Sequence, residues 1–356
     1  MTIGIDISPA CRKQKTGIEW YAWHVTREIL NKHGREHAFR LYTDKRAEPL
    51  FSSAAKYLSW HSKYFWPELR LSLEIAVNAP DVLFVPSRAL PLVLPKKTIT
   101  TIHDVGFISF PDERKKVSRE YLLMTSCRAA QKAHHILTVS EFSKQEIIRN
   151  FSIAPEKITV TYLGYDTERY VPTKESLNGK PYIVCIGRRE RRKNLSGLIR
   201  GYELLTAKMG SDAPDLVLIG PAGHYAHEID SCISDSTARE HIRIHNWLSE
   251  EAKIKLLQHA ILLVQPSLYE GFGLPLIEAQ GCHIPVASSR SGSLPEIAGD
   301  SALFFDPLDP VSMSEVVYTC IHDASARQRL IAKGQENCRR FSWKQCAEDT
   351  FRILVK

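Results

Sequence analysis

The stretch Gln265-Pro266-Ser267-Leu268-Tyr269-Glu270-Gly271-Phe272-Gly273-Leu274-Pro275-Leu276-Ile277-Glu278 decides how the chain is read. It follows the apolar run Ile261-Leu262-Leu263-Val264, the composition of a buried strand, and enters a helix-forming segment through Pro275. A helix start presents unpaired N–H groups and the positive end of a dipole, both of which attract a diphosphate. Gly271 and Gly273 let the backbone approach a ligand closely. Glu270 and Glu278 each offer two acceptor oxygens, which suits vicinal hydroxyls on a ribose or hexose. The plainer reading is a strand–loop–helix unit whose glutamates only cap and solvate. It leaves the two glycines and the proline unexplained.

Around this stretch the chain alternates strands and helices. Strands are expected at 3–7, 38–42, 82–85, 98–102, 136–139 and 158–162, then at 182–186, 215–219, 241–245, 261–264, 285–288 and 302–305. Amphipathic stretches lie between them at 20–30, 118–133 and 141–149, with Ser140, Ser249 and Ser342 standing where helix N-caps belong. This rhythm predicts parallel, doubly wound sheets. Two such sets, with a polar stretch holding Pro172, Asn178 and Gly179 between them, suit 356 residues. The expected division is residues 1–170 as an N-terminal Rossmann-like domain on the acceptor side and a linker at 171–180. A C-terminal Rossmann-like domain on the donor side follows at 181–340. Residues 341–356 form a last helix, either crossing back to the first domain or docking on its own. Residues 44–79, interrupted by Pro67, give no clear pattern.

Composition excludes several classes. Hydrophobic residues make up 44% and charged residues 24% of the chain, which is ordinary for a globular protein. No apolar run approaches the ~20 residues that span a bilayer. The start of the chain reads as a first strand rather than a signal peptide. Eight scattered cysteines without a Cys-x-x-Cys pair point to free thiols in a reducing cytosol, not to disulfides or zinc. The net charge of +7 suits a diphosphate or an anionic membrane surface. Basic and aromatic residues are not interleaved as nucleic-acid binding requires, so no nucleic-acid partner is expected.

Glu270 and Glu278 with seven residues between them and Gly-Phe-Gly-Leu-Pro inside, followed by Gly281, Ile284-Pro285-Val286-Ala287-Ser288, Gly292-Ser293-Leu294-Pro295-Glu296, Gly299-Asp300 and Phe305-Asp306-Pro307, resemble the donor-site signature of retaining GT-B glycosyltransferases, in particular family 4. The resemblance covers nearly the whole chain and is most specific from 262 to 307. It implies an α/β fold of the GT-B type, two Rossmann-like doubly wound domains facing across a cleft and closing on the donor. The implied activity is retaining transfer of a hexose from a nucleoside diphosphate sugar to a hydroxyl acceptor. A glycan or lipid-linked acceptor in cell-surface polysaccharide or glycolipid assembly follows, with mannose favoured. No cofactor beyond the donor substrate is expected. The lack of a strict Asp-x-Asp agrees with a metal-independent enzyme.

The resemblance also carries site residues. Glu278 matches the ribose-binding position and Glu270 the position that binds hexose hydroxyls near C3 and C4, with Gly271, Phe272, Gly273 and Leu274 along the donor. In the basic run Arg188, Arg189, Arg191, Arg192 and Lys193, register gives Arg188 and Lys193 the diphosphate; the other three read as surface charge. His103, in His103-Asp104 at a strand end, matches the histidine that bonds the transferred sugar. Gly17 matches a glycine by which the backbone nears the diphosphate or acceptor. Glu19-Trp20 departs from the pattern there, so acceptor contacts are not carried over. Trp23 reads as core, and Trp20 stays open between core and sugar stacking. The Gly220-Pro221-Ala222-Gly223 turn is a weak candidate for base or phosphate contact, and the loop after His245 lies near the base by analogy. Arg114-Lys115-Lys116 with Arg119 suggests a contact with an anionic membrane at the inner face of the cell membrane, or simply a solvated helix face. The rival readings are a non-catalytic sugar-nucleotide-binding protein and, on the same fold, a sugar-nucleotide epimerase or a phosphorylase.

Overall fold

The computed structural model describes residues 1–44, 49–52, 54–60, 65–175 and 179–356. Its chain divides into two compact units. The first comprises Met1–Val105, Lys116–Gly164 and Ser342–Lys356, and the second Gly106–Lys115 and Tyr165–Phe341.

The first unit is built on a parallel seven-stranded sheet: β1 (Thr2–Asp6), β2 (Ala38–Thr43), β3 (Ala55–Tyr57), β4 (Val82–Val85), β5 (Lys97–Thr101), β6 (His135–Thr138) and β7 (Ile158–Val160), in the order β3-β2-β1-β4-β5-β6-β7. Helices cover both faces, so β1, β4 and β5 carry continuous buried runs rather than alternation. Ser140 caps the helix Glu141–Phe151, its Oγ accepting from the Ser143 N–H at 3.0 Å. The edge strand β3 escaped the sequence reading because Lys56 and Tyr57 are exposed and it lacks an apolar run.

The second unit holds a parallel six-stranded sheet: β8 (Tyr182–Ile186), β9 (Asp215–Ile219), β10 (Ile242–His245), β11 (Leu262–Gln265), β12 (Val286–Ser289) and β13 (Leu303–Phe305), ordered β10-β9-β8-β11-β12-β13. The strand order reverses between β8 and β11. A doubly wound sheet opens a crevice for ligands at such a point, beyond the carboxyl ends of the strands.

The division differs from the expected split at 170. Tyr165 and Tyr170 already belong to the second unit: Tyr170 is buried there, and its carbonyl lies against Gly281. The described residues of the expected linker at 171–180 are therefore inside that unit, while 176–178, including Asn178, lie outside the described residues. Gly106–Lys115, expected in the N-terminal domain, groups with the second unit through Glu113 on Arg192 and Phe110 against Tyr269.

The terminal helix Trp343–Val355, capped by Ser342, packs on the helix Gly17–His33 within the first unit. His24 stacks on Trp343 with centroids 4.7 Å apart, and His33 stacks on Phe351 at 3.6 Å. Lys32 and His33 both reach Glu348. A Cβ on Gly164 would meet the Trp343 amide nitrogen at 2.1 Å, so only glycine allows the chain to pass there. Phe351→Ala removes a buried ring and is expected to cost about 3–5 kcal/mol. Urea unfolding checks this, and an unchanged midpoint would show that this helix does not hold the first unit together.

Candidate active site

The loops after β8 and β11 meet at the reversal of the second sheet. Residues 187–190 run on from β8 into a single 3₁₀ turn, Arg191–Lys193, closed by Asn194 at φ 53°. Asparagine adopts this left-handed conformation more readily than most residues. Its Nδ2 donates to the Pro307 carbonyl at 2.7 Å and to the Pro266 carbonyl at 3.2 Å, tying the loop to those after β13 and β11. The Leu268 N–H adds a bond to the Arg192 carbonyl at 2.7 Å.

Glu270 sits in the β11 loop, which is held from beneath. Ser293 bonds the Glu270 carbonyl through its N–H and its hydroxyl, and also the Phe272 carbonyl. Gly292, at φ 62°, lets the Glu270 backbone approach; a Cβ there would lie 2.7 Å from both its N and O. Gly273, at φ 101°, opens the helix Leu274–Gly281, with Pro275 in its first turn.

The Glu270 carboxylate is buried, and Oε1 accepts from Lys193 Nζ, from Gln265 Nε2 at 2.7 Å and from Ser267 Oγ at 2.8 Å. Arg192 Nη1 lies 3.6 Å from Oε2. Burial pushes this carboxyl up, but Lys193 and Arg192 outweigh it and hold the group below its ordinary pKa. Glu270 is thus an ionised hydrogen-bond acceptor at neutral pH, with no proton to give.

Arg192 was missed. Far from being surface charge, it is mostly buried among carboxylates, 2.8 Å from Glu190 and 3.4 Å from Glu113, and its own N–H donates to Glu113. Arg189 is also buried, 3.8 Å from Asp230. Of those three, Arg191 alone is exposed, lying over the Tyr225 ring. No local pattern marks Arg192, because Glu113 lies far away in sequence. Arg188 remains exposed at the loop, and Lys193 folds its stem over Gly187.

Glu278 lies on the helix Leu274–Gly281, which follows the Glu270 loop directly. Burial, with Glu250 adding to it, holds its pKa above the ordinary carboxylate value, and Lys253 at 3.6 Å works against that rise. Phe272 turns its ring into the core against Phe341 at 5.5 Å, so what it offers the loop is its main chain. The glycines of the 220–223 turn answer to backbone approach: a Cβ on Gly220 would meet the Gly187 carbonyl at 2.0 Å, and one on Gly223 the Arg189 carbonyl at 2.4 Å. That turn buttresses the cation loop.

In the first unit, His103 is buried just past β5. Its Nε2 lies 3.2 Å from the Pro86 carbonyl, which only accepts, so Nε2 carries the proton and Nδ1 is the acceptor. Burial lowers its pKa to about 4. Tyr21 meets the ring edge-on at 4.7 Å and bonds Thr101 through its hydroxyl, so Tyr21 is core that fixes His103. Gly17 begins the helix Gly17–His33, and Glu19 accepts from the Thr16 N–H at 2.9 Å, a helix-capping role. Trp23 packs on Phe51 beneath Arg27, while Trp20, partly buried, rests against Trp23 and His24.

Residues 166–337 match the family described as "Glycosyl transferases group 1", and residues 16–169 the one described as "Glycosyltransferase Family 4". O-antigen chain mannosyltransferase B of Escherichia coli is 31% identical over 330 residues, spanning 90% of this chain and 82% of that protein. Sucrose-phosphate synthase from Thermosynechococcus elongatus shares the fold with a TM-score of 0.80 at 16% identity, over 99% of this chain and 98% of the other. The Anabaena protein Alr3699/HepE, in complex with UDP-glucose, does so with a TM-score of 0.77 at 14% identity, over 99% of each chain. The fold is GT-B, and with both units matched and a relative this similar along most of its length, the chain belongs to glycosyltransferase family 4.

Proposed function

We propose that this glycosyltransferase moves a hexose, with retention and without a metal, from a nucleoside diphosphate donor to a hydroxyl of a glycan or lipid-linked acceptor in surface polysaccharide assembly. The observation that carries the reading is the ion pair of Lys193 and Glu270 where the loops after β8 and β11 meet. It sets a fixed cation beside an ionised acceptor, as a diphosphate next to sugar hydroxyls requires. Mannose is favoured, because the Escherichia coli relative is named a mannosyltransferase.

In this reading Arg188 and Lys193 hold the phosphates, and main-chain groups of Gly271, Phe272, Gly273 and Leu274 line the donor. Glu270 accepts hexose hydroxyls, and Glu278 accepts the ribose diol. Gly17 lets the backbone near the diphosphate or acceptor. As the bond from the anomeric carbon to the phosphate oxygen breaks, charge grows on the leaving diphosphate, and the two cations stabilise it. The acceptor oxygen bonds the same carbon from the same face, and its proton passes to the leaving phosphate. His103, neutral at physiological pH, contributes a hydrogen bond to the hexose.

The first test is thermal stabilisation by UDP, GDP, dTDP and ADP, with and without EDTA. One nucleotide is expected to raise Tm equally in both conditions, and turnover is expected to fall about 10²–10³-fold in Glu270→Ala and Lys193→Ala. No shift with any nucleotide, or unchanged turnover in both variants, would overturn the reading.

His103 yields a pH test. Its folded pKa of about 4 lies below its ordinary 6.5, so the unfolded chain takes up a proton first as pH falls. Stability relative to His103→Gln should drop by on the order of 3 kcal/mol between pH 7 and pH 4. Parallel pH profiles for the two proteins would contradict this.

A peripheral membrane contact is also proposed. No helix among the described residues is long and apolar enough to cross a bilayer. The first unit nonetheless exposes Leu69, Leu73 and Val77 on the helical turns Trp66–Leu71 and Ser72–Val77, and Val117, Leu123 and Met124 on the helix Lys116–Lys132. Tyr121 joins these elements, its hydroxyl donating to Glu68 and its ring meeting Phe65. Lys116 and Arg119 supply charge beside them. Co-sedimentation with vesicles containing anionic phosphatidylglycerol is expected, weakened by Leu73→Glu with Val77→Glu. Equal recovery with and without vesicles would remove the proposal.

A further inference from the structure

Glu278 is the residue on which the ribose reading rests, and it does not stand alone. Lys253, on the helix Glu250–Gln258, places Nζ 3.6 Å from Glu278 and 2.7 Å from Glu250. The ammonium lies 5.3 Å from the centre of the Tyr170 ring, and the Tyr170 hydroxyl donates to Glu250 at 2.6 Å. The side chains of Lys253 and Glu278 are only 18% and 12% exposed. Just past the helix that carries Glu278, Cys282 faces the cluster, and burial pushes its thiol up to about 12, so it stays neutral.

Among the described residues, the charged groups placed against Glu278 are the Lys253 ammonium and the Glu250 carboxylate, with the Tyr170 hydroxyl beside them. Burial opposes the charge on Lys253, but the two carboxylates outweigh it and hold the ammonium protonated. Removing that ammonium would leave two carboxylates close together in a poorly solvated place, and one of them would take up a proton. A protonated Glu278 loses one of its two acceptor oxygens to an O–H, and a ribose diol needs both.

We propose that Lys253 is a positioning residue for sugar-nucleotide recognition, holding Glu278 as a two-oxygen acceptor for the ribose diol while Glu250 and Tyr170 fix the ammonium. This rests on the assignment of Glu278 to the ribose. No sequence signal marks Lys253, which reads as one more cation on a solvated helix.

The test is calorimetric binding of GDP and UDP, and of their 2′,3′-dideoxy counterparts, from pH 5.5 to 8.5. The proteins are the wild type, Lys253→Met, Lys253→Arg and Glu278→Gln, each checked for an intact melting transition. The wild type should prefer the ribonucleotide, and Glu278→Gln should abolish the preference. Lys253→Met should reduce it at least about tenfold and move the acid loss of affinity upward by about one pH unit, because Glu278 then protonates more easily. Lys253→Arg should restore both. Wild-type discrimination and pH profile in a folded Lys253→Met, or equal weakening of both nucleotides, would overturn the inference alone. Full discrimination in Glu278→Gln would instead overturn the ribose assignment beneath it.

Discussion

The second unit is organised around one buried carboxylate. Taking the charge of Glu270 out of water is costly unless it is paired and hydrogen-bonded. Lys193, Gln265, Ser267 and Arg192 all converge on it. Its pairing with Lys193 also joins two loops that the sheet brings together only because its strand order reverses between β8 and β11.

Much of the surrounding structure serves that pair. Asn194 takes a left-handed conformation so that its amide can tie the cation loop to the loops after β11 and β13. Gly292 and Ser293 press against the Glu270 main chain, and glycines at 220 and 223 let a neighbouring turn buttress the cation loop. Arg192, shared among Glu113, Glu190 and Glu270, draws Gly106–Lys115 into the same unit, three residues after His103. The chain thus passes between the units four times, after Val105, Lys115, Gly164 and Phe341.

Local chemistry made most of this legible. The strands were readable because both faces of each sheet are covered, which writes them as continuous apolar runs, and Ser140, Ser249 and Ser342 cap as serines before helices do. Glu270 and Lys193 stood out in sequence because each falls in a strand-end run of glycines and charges, and the structure pairs the two. What stayed hidden depends on distant partners. Arg192 and Lys253 look like ordinary surface cations until Glu113 and Tyr170 are folded against them. The row of exposed apolar residues at 69, 73 and 77 falls in a stretch where sequence gave no clear period. Glu19 and Tyr21, on either side of Trp20, are a helix cap and a core support.

The claim at the centre is that Lys193 exchanges its carboxylate for a phosphate when the donor binds, leaving Glu270 to the hexose. A crystal structure with an intact nucleoside diphosphate hexose tests it most directly. The account predicts Lys193 Nζ within about 3 Å of a phosphate oxygen, with Gln265 and Ser267 still on Glu270 and a sugar hydroxyl on its carboxylate. A donor bound away from the 187–194 loop, with Lys193 still paired to Glu270, would contradict it.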